Sequence, residues 1–118
     1  MQGKTGAKLS YPFTPGWEGS GTVEAVGESL AAFGLVGKRV GFSRAKEAGY
    51  TIGGSMAEYA VTDMWSIIPL RDETSLEDGV ALFVNPLSAL CIIDRVQILD
   101  SKCVIITAAA SKLGRSMY

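Results

Sequence analysis

The chain has 118 residues, eleven Lys/Arg against twelve Asp/Glu, a formal net charge of −1, and 47% hydrophobic residues. That balance fits one ordinary globular core and argues against wholesale disorder; the scattered basic residues argue against nucleic acid as a main partner, because phosphate binding draws on a concentrated basic surface. No apolar run reaches the roughly 18 residues of a membrane-spanning helix, and the absence of histidine removes Ser-His and Cys-His nucleophile pairs and makes a structural zinc site improbable.

Taken in chain order, residues 1–15 hold Gly3, Gly6, Pro12 and Pro15 without periodicity and read as an extended loop. Lys4 and Lys8 stand there with no acid before Glu18. A solvated loop explains them better than a targeting remnant; the expected localisation, with the two cysteines read as reduced, is intracellular, cytoplasmic or mitochondrial. Gly16-Trp17-Glu18-Gly19-Ser20-Gly21 predicts a tight bend, followed by a strand over Thr22–Val26. Ser29 to Leu35 is a connector, Gly37–Phe42 a short strand, and Arg44–Ile52 a surface loop. Met56–Thr62 alternates roughly and predicts a strand; Trp65–Ile68 predicts another, ended by Pro69. Such short pieces with glycine turns describe a small, irregular β-barrel-like module.

The pattern changes near residue 72. Thr74-Ser75-Leu76-Glu77 reads as a capping box, with Thr74 as N-cap and a helix to about Leu82. Asn85-Pro86 is a second helix start, with Asn as cap and Pro in the first position. Leu87, Leu90, Cys91, Asp94 and Ile98 then recur at helical spacing, and with Ile93 and Val96 the apolar members predict one broad buried stripe. After a turn at Asp100-Ser101-Lys102, Cys103–Thr107 is apolar on both faces, as in the central strand of a parallel sheet. Cys91 and Cys103 read as reduced, buried thiols.

Three motifs bear on chemistry. In Ala108-Ala109-Ala110-Ser111-Lys112-Leu113-Gly114, residues 108, 111 and 114 have the i, i+3, i+6 spacing of a phosphate-cradling turn at a helix N-terminus. Small residues let backbone N–H groups approach a diphosphate, although many strands enter helices through such turns without a ligand. Glu18 sits among glycines, where a carboxylate caps backbone N–H groups or pairs with an arginine more often than it catalyses. Ser88 in Asn85-Pro86-Leu87-Ser88-Ala89 offers a hydroxyl in a first turn, but a capped helix explains the segment equally well. Trp17, Tyr50, Tyr59 and Trp65 read as core or loop-packing aromatics. Lys112 and Arg115 neutralise a phosphate or simply line a solvated helix face.

Together the motifs resemble the medium-chain dehydrogenase/reductase superfamily, in its zinc-free quinone oxidoreductase-like and enoyl reductase-like branch. Pro15–Val23 resembles the family's G-x-E-x-x-G turn, Gly37-Lys38-Arg39-Val40 its GxRV strand, Gly53–Tyr59 its GG-x-aromatic-AEY segment, Asn85–Leu90 its NPLTAL helix start, and Thr107–Gly114 its A-x-x-G-x-x-G nucleotide loop. The resemblance implies a mixed α/β fold: an incomplete GroES-like β-barrel module (residues 1–84), then a linking helix and the first strand, loop and helix start of a Rossmann domain (85–118). It implies NADPH as cofactor, with NAD not excluded, and hydride transfer to a quinone, enone or 2-enoyl thioester. Cofactor contacts carried over are Ser88, in the place of the NPLTAL threonine, and Ala108, Ala109, Ser111, Lys112, Leu113 and Gly114.

Departures from the pattern shape the expectation. Trp17 stands where zinc-dependent relatives carry histidine, so no catalytic zinc is expected. Ser111 replaces the loop's middle glycine, and its Cβ narrows the approach to the diphosphate. No residue is a convincing proton donor, and none is assigned as catalytic. Family strands that precede Met1 and the Rossmann strands that follow Tyr118 are absent from the 118 residues. The chain by itself is therefore expected to be an inactive fragment that forms a homo-oligomer or associates with another chain. The alternative is a non-catalytic pseudoenzyme acting as a structural or partner-binding subunit.

Overall fold

A computed structural model describes residues 12–28, 30–44 and 53–117. The readings of Lys4, Lys8, Tyr50 and most of the loops at 1–15 and 44–52 fall outside these residues. Three strands, β1 (Glu18–Thr22), β2 (Arg39–Ser43) and β3 (Ile67–Pro69), form one antiparallel sheet in the order β1-β2-β3. Glu18 lies opposite Ser43 and Thr22 opposite Arg39, while Val40 faces Pro69 and Phe42 faces Ile67. Among the described residues the sheet is open rather than barrel-shaped.

Two strand assignments move. The glycine-dense bend is itself β1, and residues 23–27 lie beyond it. Gly19 is in the strand because it is crossed: a Cβ there would meet the Phe42 ring at 2.9 Å and the Ser55 Cβ at 3.1 Å. Sequence alone reads such glycines as turn residues, but here they make room. Met56–Thr62 is not a strand. It runs as exposed bends from Met56, whose N–H donates to the Pro15 carbonyl, to Thr62, whose hydroxyl donates to the Ser43 carbonyl. Trp65–Ile68 divides into a single 3-10 turn at Met64–Ser66 and β3. The Asp63 carboxylate makes that turn by accepting from the Trp65 N–H and the Ser66 hydroxyl, each at 3.0 Å. Pro69 is inside β3 rather than after it, on an edge strand where a missing N–H costs no ladder bond.

The connector after residue 29 is a 3-10 helix, Leu30–Leu35. Helix α1 (Leu76–Gly79) begins one residue later than the capping box predicts. Ser75, not Thr74, is the N-cap: its Oγ accepts from the Asp78 N–H at 3.0 Å and donates to the Asp78 carboxylate at 2.8 Å. Two overlapping boxes, Thr74/Glu77 and Ser75/Asp78, compete in the sequence. The Thr74 carbonyl is held by the Arg39 guanidinium at 2.8 Å, which leaves Ser75 to start the helix. The Ser20 hydroxyl donates to the Leu76 carbonyl and ties α1 to β1.

Helix α2 (Val84–Ile98) has Phe83 before its first turn with no side-chain cap, so Asn85 and Pro86 lie inside it. The Glu18 carboxylate supplies the acceptor instead, taking the Val84 N–H at 2.8 Å. Of the two roles open to Glu18, the structure shows the backbone cap, at a helix end where a negative charge is favoured. The expected buried stripe is exposed: Leu90 is 61% and Ile98 65% accessible, and Ala89 alone is buried on α2. Apolar residues occupy nearly the whole circumference of α2, a pattern that needs neighbours on every side. The described residues provide the short α3 (Lys112–Arg115) against it. For the same reason Cys91 and Cys103 are exposed free thiols rather than buried ones.

Residues 103–106 form no ladder, with Val104 46% and Ile105 91% exposed. A strand apolar on both faces needs flanking strands, and among the described residues none pairs with it. The core is small, centred on Val40 in β2 and Ala89 in α2. The aromatics read as packing residues are mostly at the surface: Trp17 is 59%, Tyr59 75% and Trp65 85% exposed.

Candidate functional site

The closing turn is built by its own backbone. The Ser111 N–H donates to the Ala108 carbonyl at 2.9 Å, folding residues 108–111 back on themselves, and α3 follows. Ala108 has φ 52°, the left-handed region that glycine takes more easily. At Gly114 a Cβ would lie 2.6 Å from the Ala109 carbonyl oxygen and 2.7 Å from that of Ala108. The turn therefore needs glycine at its end and favours it at its start, the backbone logic of a nucleotide loop. Relief of the left-handed strain gives an expected outcome: Ala108→Gly raises stability by about 1 kcal/mol in urea unfolding, while Ala109→Gly lowers it slightly.

Ser111, the residue in place of the middle glycine, is the N-cap of α3. Its Oγ accepts from the Gly114 N–H at 3.0 Å. The hydroxyl thereby occupies one donor of the helix start. The N–H groups of Lys112 and Leu113 belong to the same first turn, where no preceding helical carbonyl is in reach. Ala108, Ala109, Ser111 and Lys112 are exposed, Leu113 is half-buried and Gly114 is buried. Ser88 lies on α2, the helix against which α3 packs, and donates its hydroxyl to the Val84 carbonyl at 2.6 Å. It is thus committed as a donor within its own helix and has only acceptor capacity to offer.

The sequence reading passed over a second constellation. Arg44 places its guanidinium carbon 3.8 Å from the centroid of the Trp17 ring. The signal was available in the register. Once Glu18 pairs with Ser43, the next step of an antiparallel ladder sets Trp17 opposite Arg44 on one face.

Residues 1–72 match the alcohol dehydrogenase GroES-like domain family. Quinone oxidoreductase-like protein 2 of Rattus norvegicus is 31% identical over 96% of the chain. A trans-enoyl reductase of Gibberella fujikuroi is 38% identical over 61% of it. A crystal structure assigned as an NADPH:quinone reductase of Mesorhizobium loti superposes with a TM-score of 0.75, at 43% identity over 86% of the chain. The chain belongs to the quinone oxidoreductase-like branch of the medium-chain dehydrogenase/reductase superfamily. It spans 30% of the length of the rat relative, 20% of the fungal enzyme and 28% of the bacterial one.

For this member of the superfamily, the family's G-x-E-x-x-G segment is a strand whose glutamate caps a helix, and its GxRV segment is the central strand of the sheet. Among the described residues no group of three or more His, Cys, Asp or Glu side chains is placed to hold a metal ion. No helix of the described residues is long and apolar enough to cross a membrane.

Proposed function

We propose that this chain is part of an NADPH-dependent oxidoreductase that transfers hydride to an activated double bond, in a quinone, enone or 2-enoyl thioester, without zinc. Its likeness to the Mesorhizobium loti NADPH:quinone reductase, in sequence and fold together, carries the reading. In this proposal residues 85–118 open the nucleotide-binding unit, and the turn Ala108–Gly114 faces the diphosphate.

The residues present fit such a cofactor. Gly114 lets the helix start pack against the Ala108 and Ala109 carbonyls, Ala108 adopts a glycine-like conformation, and the donors of Lys112 and Leu113 open a helix. Lys112 and Arg115 supply positive charge beside them. Ser88 contributes acceptor lone pairs. The bound nicotinamide would supply the hydride, while the protein contributes placement and a fixed electrostatic field.

The test is NADPH consumption, by the complete purified oxidoreductase of which this chain is proposed to be part, with 1,4-naphthoquinone, an aliphatic enone and a crotonyl thioester as acceptors, with and without a zinc chelator. The expected result is turnover of at least one acceptor class that the chelator leaves unchanged. Absence of NADPH binding in calorimetry, together with absence of turnover, overturns the reading in favour of a non-catalytic binding subunit.

A further inference from the structure

The geometry points to the Trp17–Arg44 pair as the binding platform for the planar carbonyl group of the acceptor, with the Arg44 guanidinium donating to the carbonyl oxygen. The inference rests on the reductase reading and names a site within it.

Backbone geometry builds the platform first. The Arg44 N–H donates to the Trp17 carbonyl at 2.8 Å, extending the β1–β2 ladder one step past Glu18 and Ser43. Residues directly opposite in an antiparallel pair project from the same face, so the indole and the guanidinium are neighbours by construction. Two positions along, the same face holds Gly19 and Phe42, and the Phe42 ring lies over Gly19. The platform is thus bordered by the Phe42 ring and the Ser55 side chain rather than by a second charge.

The hydrogen bonding is incomplete in an informative way. Arg44 Nε is sealed from solvent and has no hydrogen-bond partner among the described residues. A buried donor left unpaired costs about 1–3 kcal/mol. Native proteins keep few such groups, and a catalytic role is one of the reasons they persist. Trp17 meanwhile leaves 59% of its surface accessible. A guanidinium on an indole offers a flat π surface edged with fixed N–H donors. That combination matches a conjugated ring or enone bearing one acceptor oxygen.

A phosphate would call for several cations or a nest of backbone donors, and the ladder puts the other strand arginine, Arg39, at its far end, opposite Thr22. The bends at 55–62 are strung from Pro15, beside Trp17, to Ser43, beside Arg44, and carry the exposed Met56 (72%) and Tyr59 (75%). The segment that carries them, with Glu58 between, is anchored beside both members of the pair.

Trp65→Phe leaves Trp17 as the one tryptophan, since the chain has two. In that background 1,4-naphthoquinone is expected to quench Trp17 fluorescence saturably. Arg44→Met should weaken the apparent affinity about tenfold, the loss of one charge-assisted hydrogen bond, and Arg44→Lys should weaken it less. The lysine variant keeps a cation at the position and serves if the methionine variant fails to fold. Purely linear, collisional quenching overturns the proposal, as does saturable quenching with an affinity that neither Arg44 variant changes. A parallel NADPH titration separates the two claims. Arg44-dependent quinone binding without NADPH binding supports the platform and removes the reductase reading. NADPH binding with quinone binding indifferent to Arg44 does the reverse.

Discussion

Gly54→Ala is expected to destabilise the fold by about 1–3 kcal/mol, and Gly16→Ala by at least as much. The two glycines mark the place where two backbones touch. The Gly54 N–H donates to the Thr14 carbonyl at 2.7 Å and the Met56 N–H to the Pro15 carbonyl at 2.9 Å, so residues 53–56 lie directly against 14–16. A Cβ on Gly54 would collide with the Pro15 carbonyl group and come within 2.6 Å of the Gly16 oxygen. A Cβ on Gly16 would collide with the Ser55 side chain and lie 2.6 Å from its backbone nitrogen, and Gly16 also has φ 110°, which L-residues rarely adopt. These obstacles are mainly backbone atoms, which cannot rotate away as a flexible side chain can.

Gly21→Ala is the control. Nothing lies within 4 Å of a Cβ at Gly21, and replacing a strand glycine there should stabilise by about 0.5 kcal/mol through the unfolded chain. Urea midpoints of the three variants check the ordering. Because Gly16 and Gly54 share one crossing, the double variant should lose less than the sum of the two singles. A Gly54→Ala midpoint equal to that of Gly21→Ala would show that the crossing does not hold the fold together.

This crossing also shows what the sequence made legible. Glycine density at 16–21 and 53–54 reads as turns and does not say which segments meet, because the contact joins residues nearly forty positions apart. β2 was legible within two residues, since the positive-φ Gly37 before it and the Val40 and Phe42 alternation within it are local signals. Helix α2 was legible as a helix, and the turn at Asp100 after it is real, with Asp100 at φ 46° and donating to the Gln97 carbonyl. Burial was not legible, because it depends on neighbours. The apolar face of α2 and the segment 103–106 carry core-like sequences without a core beside them among the described residues. The cap of α2 was half legible: Glu18 was marked as a capping carboxylate, yet its target, the Val84 N–H, is 66 positions away. At the closing turn the spacing 108, 111, 114 proved to be backbone logic, with a left-handed residue, a cap and an obligatory glycine in that order. Arg44 was missed because it was assigned to a loop, where no strand register would pair it with Trp17.

Arg39→Met is expected to destabilise the chain by about 2 kcal/mol, and Arg39→Lys by about half as much. A single guanidinium nitrogen of Arg39 reaches the carbonyls of Arg71 at 2.7 Å, Thr74 at 2.8 Å and Asp72 at 3.1 Å. That nitrogen has two hydrogens, so the three acceptors share them, and the Asp72 contact is the weakest by length. The bonds to Arg71 and Asp72 are solvent-exposed and count for less than the part-buried bond to Thr74.

The consequence reaches beyond the bonds themselves. Residues 71–74 connect β3 to α1, and the Leu70 N–H returns to the Arg39 carbonyl at 2.8 Å. Arg39 therefore grips the connection with both its backbone and its side chain, and the held Thr74 carbonyl is what leaves Ser75 to cap α1. Without the guanidinium, the overlapping box at Thr74 and Glu77 competes again. Amide exchange at Val80, whose N–H donates to the Leu76 carbonyl at 3.1 Å, should accelerate in Arg39→Met more than exchange in β1. A lysine places a point charge near one carbonyl and recovers part of the loss. Equal urea midpoints for Arg39→Met and the parent, with unchanged exchange at Val80, would mean that α1 is held to the sheet by the Ser20–Leu76 hydrogen bond and the packing of Gly79 on Gly41, without Arg39.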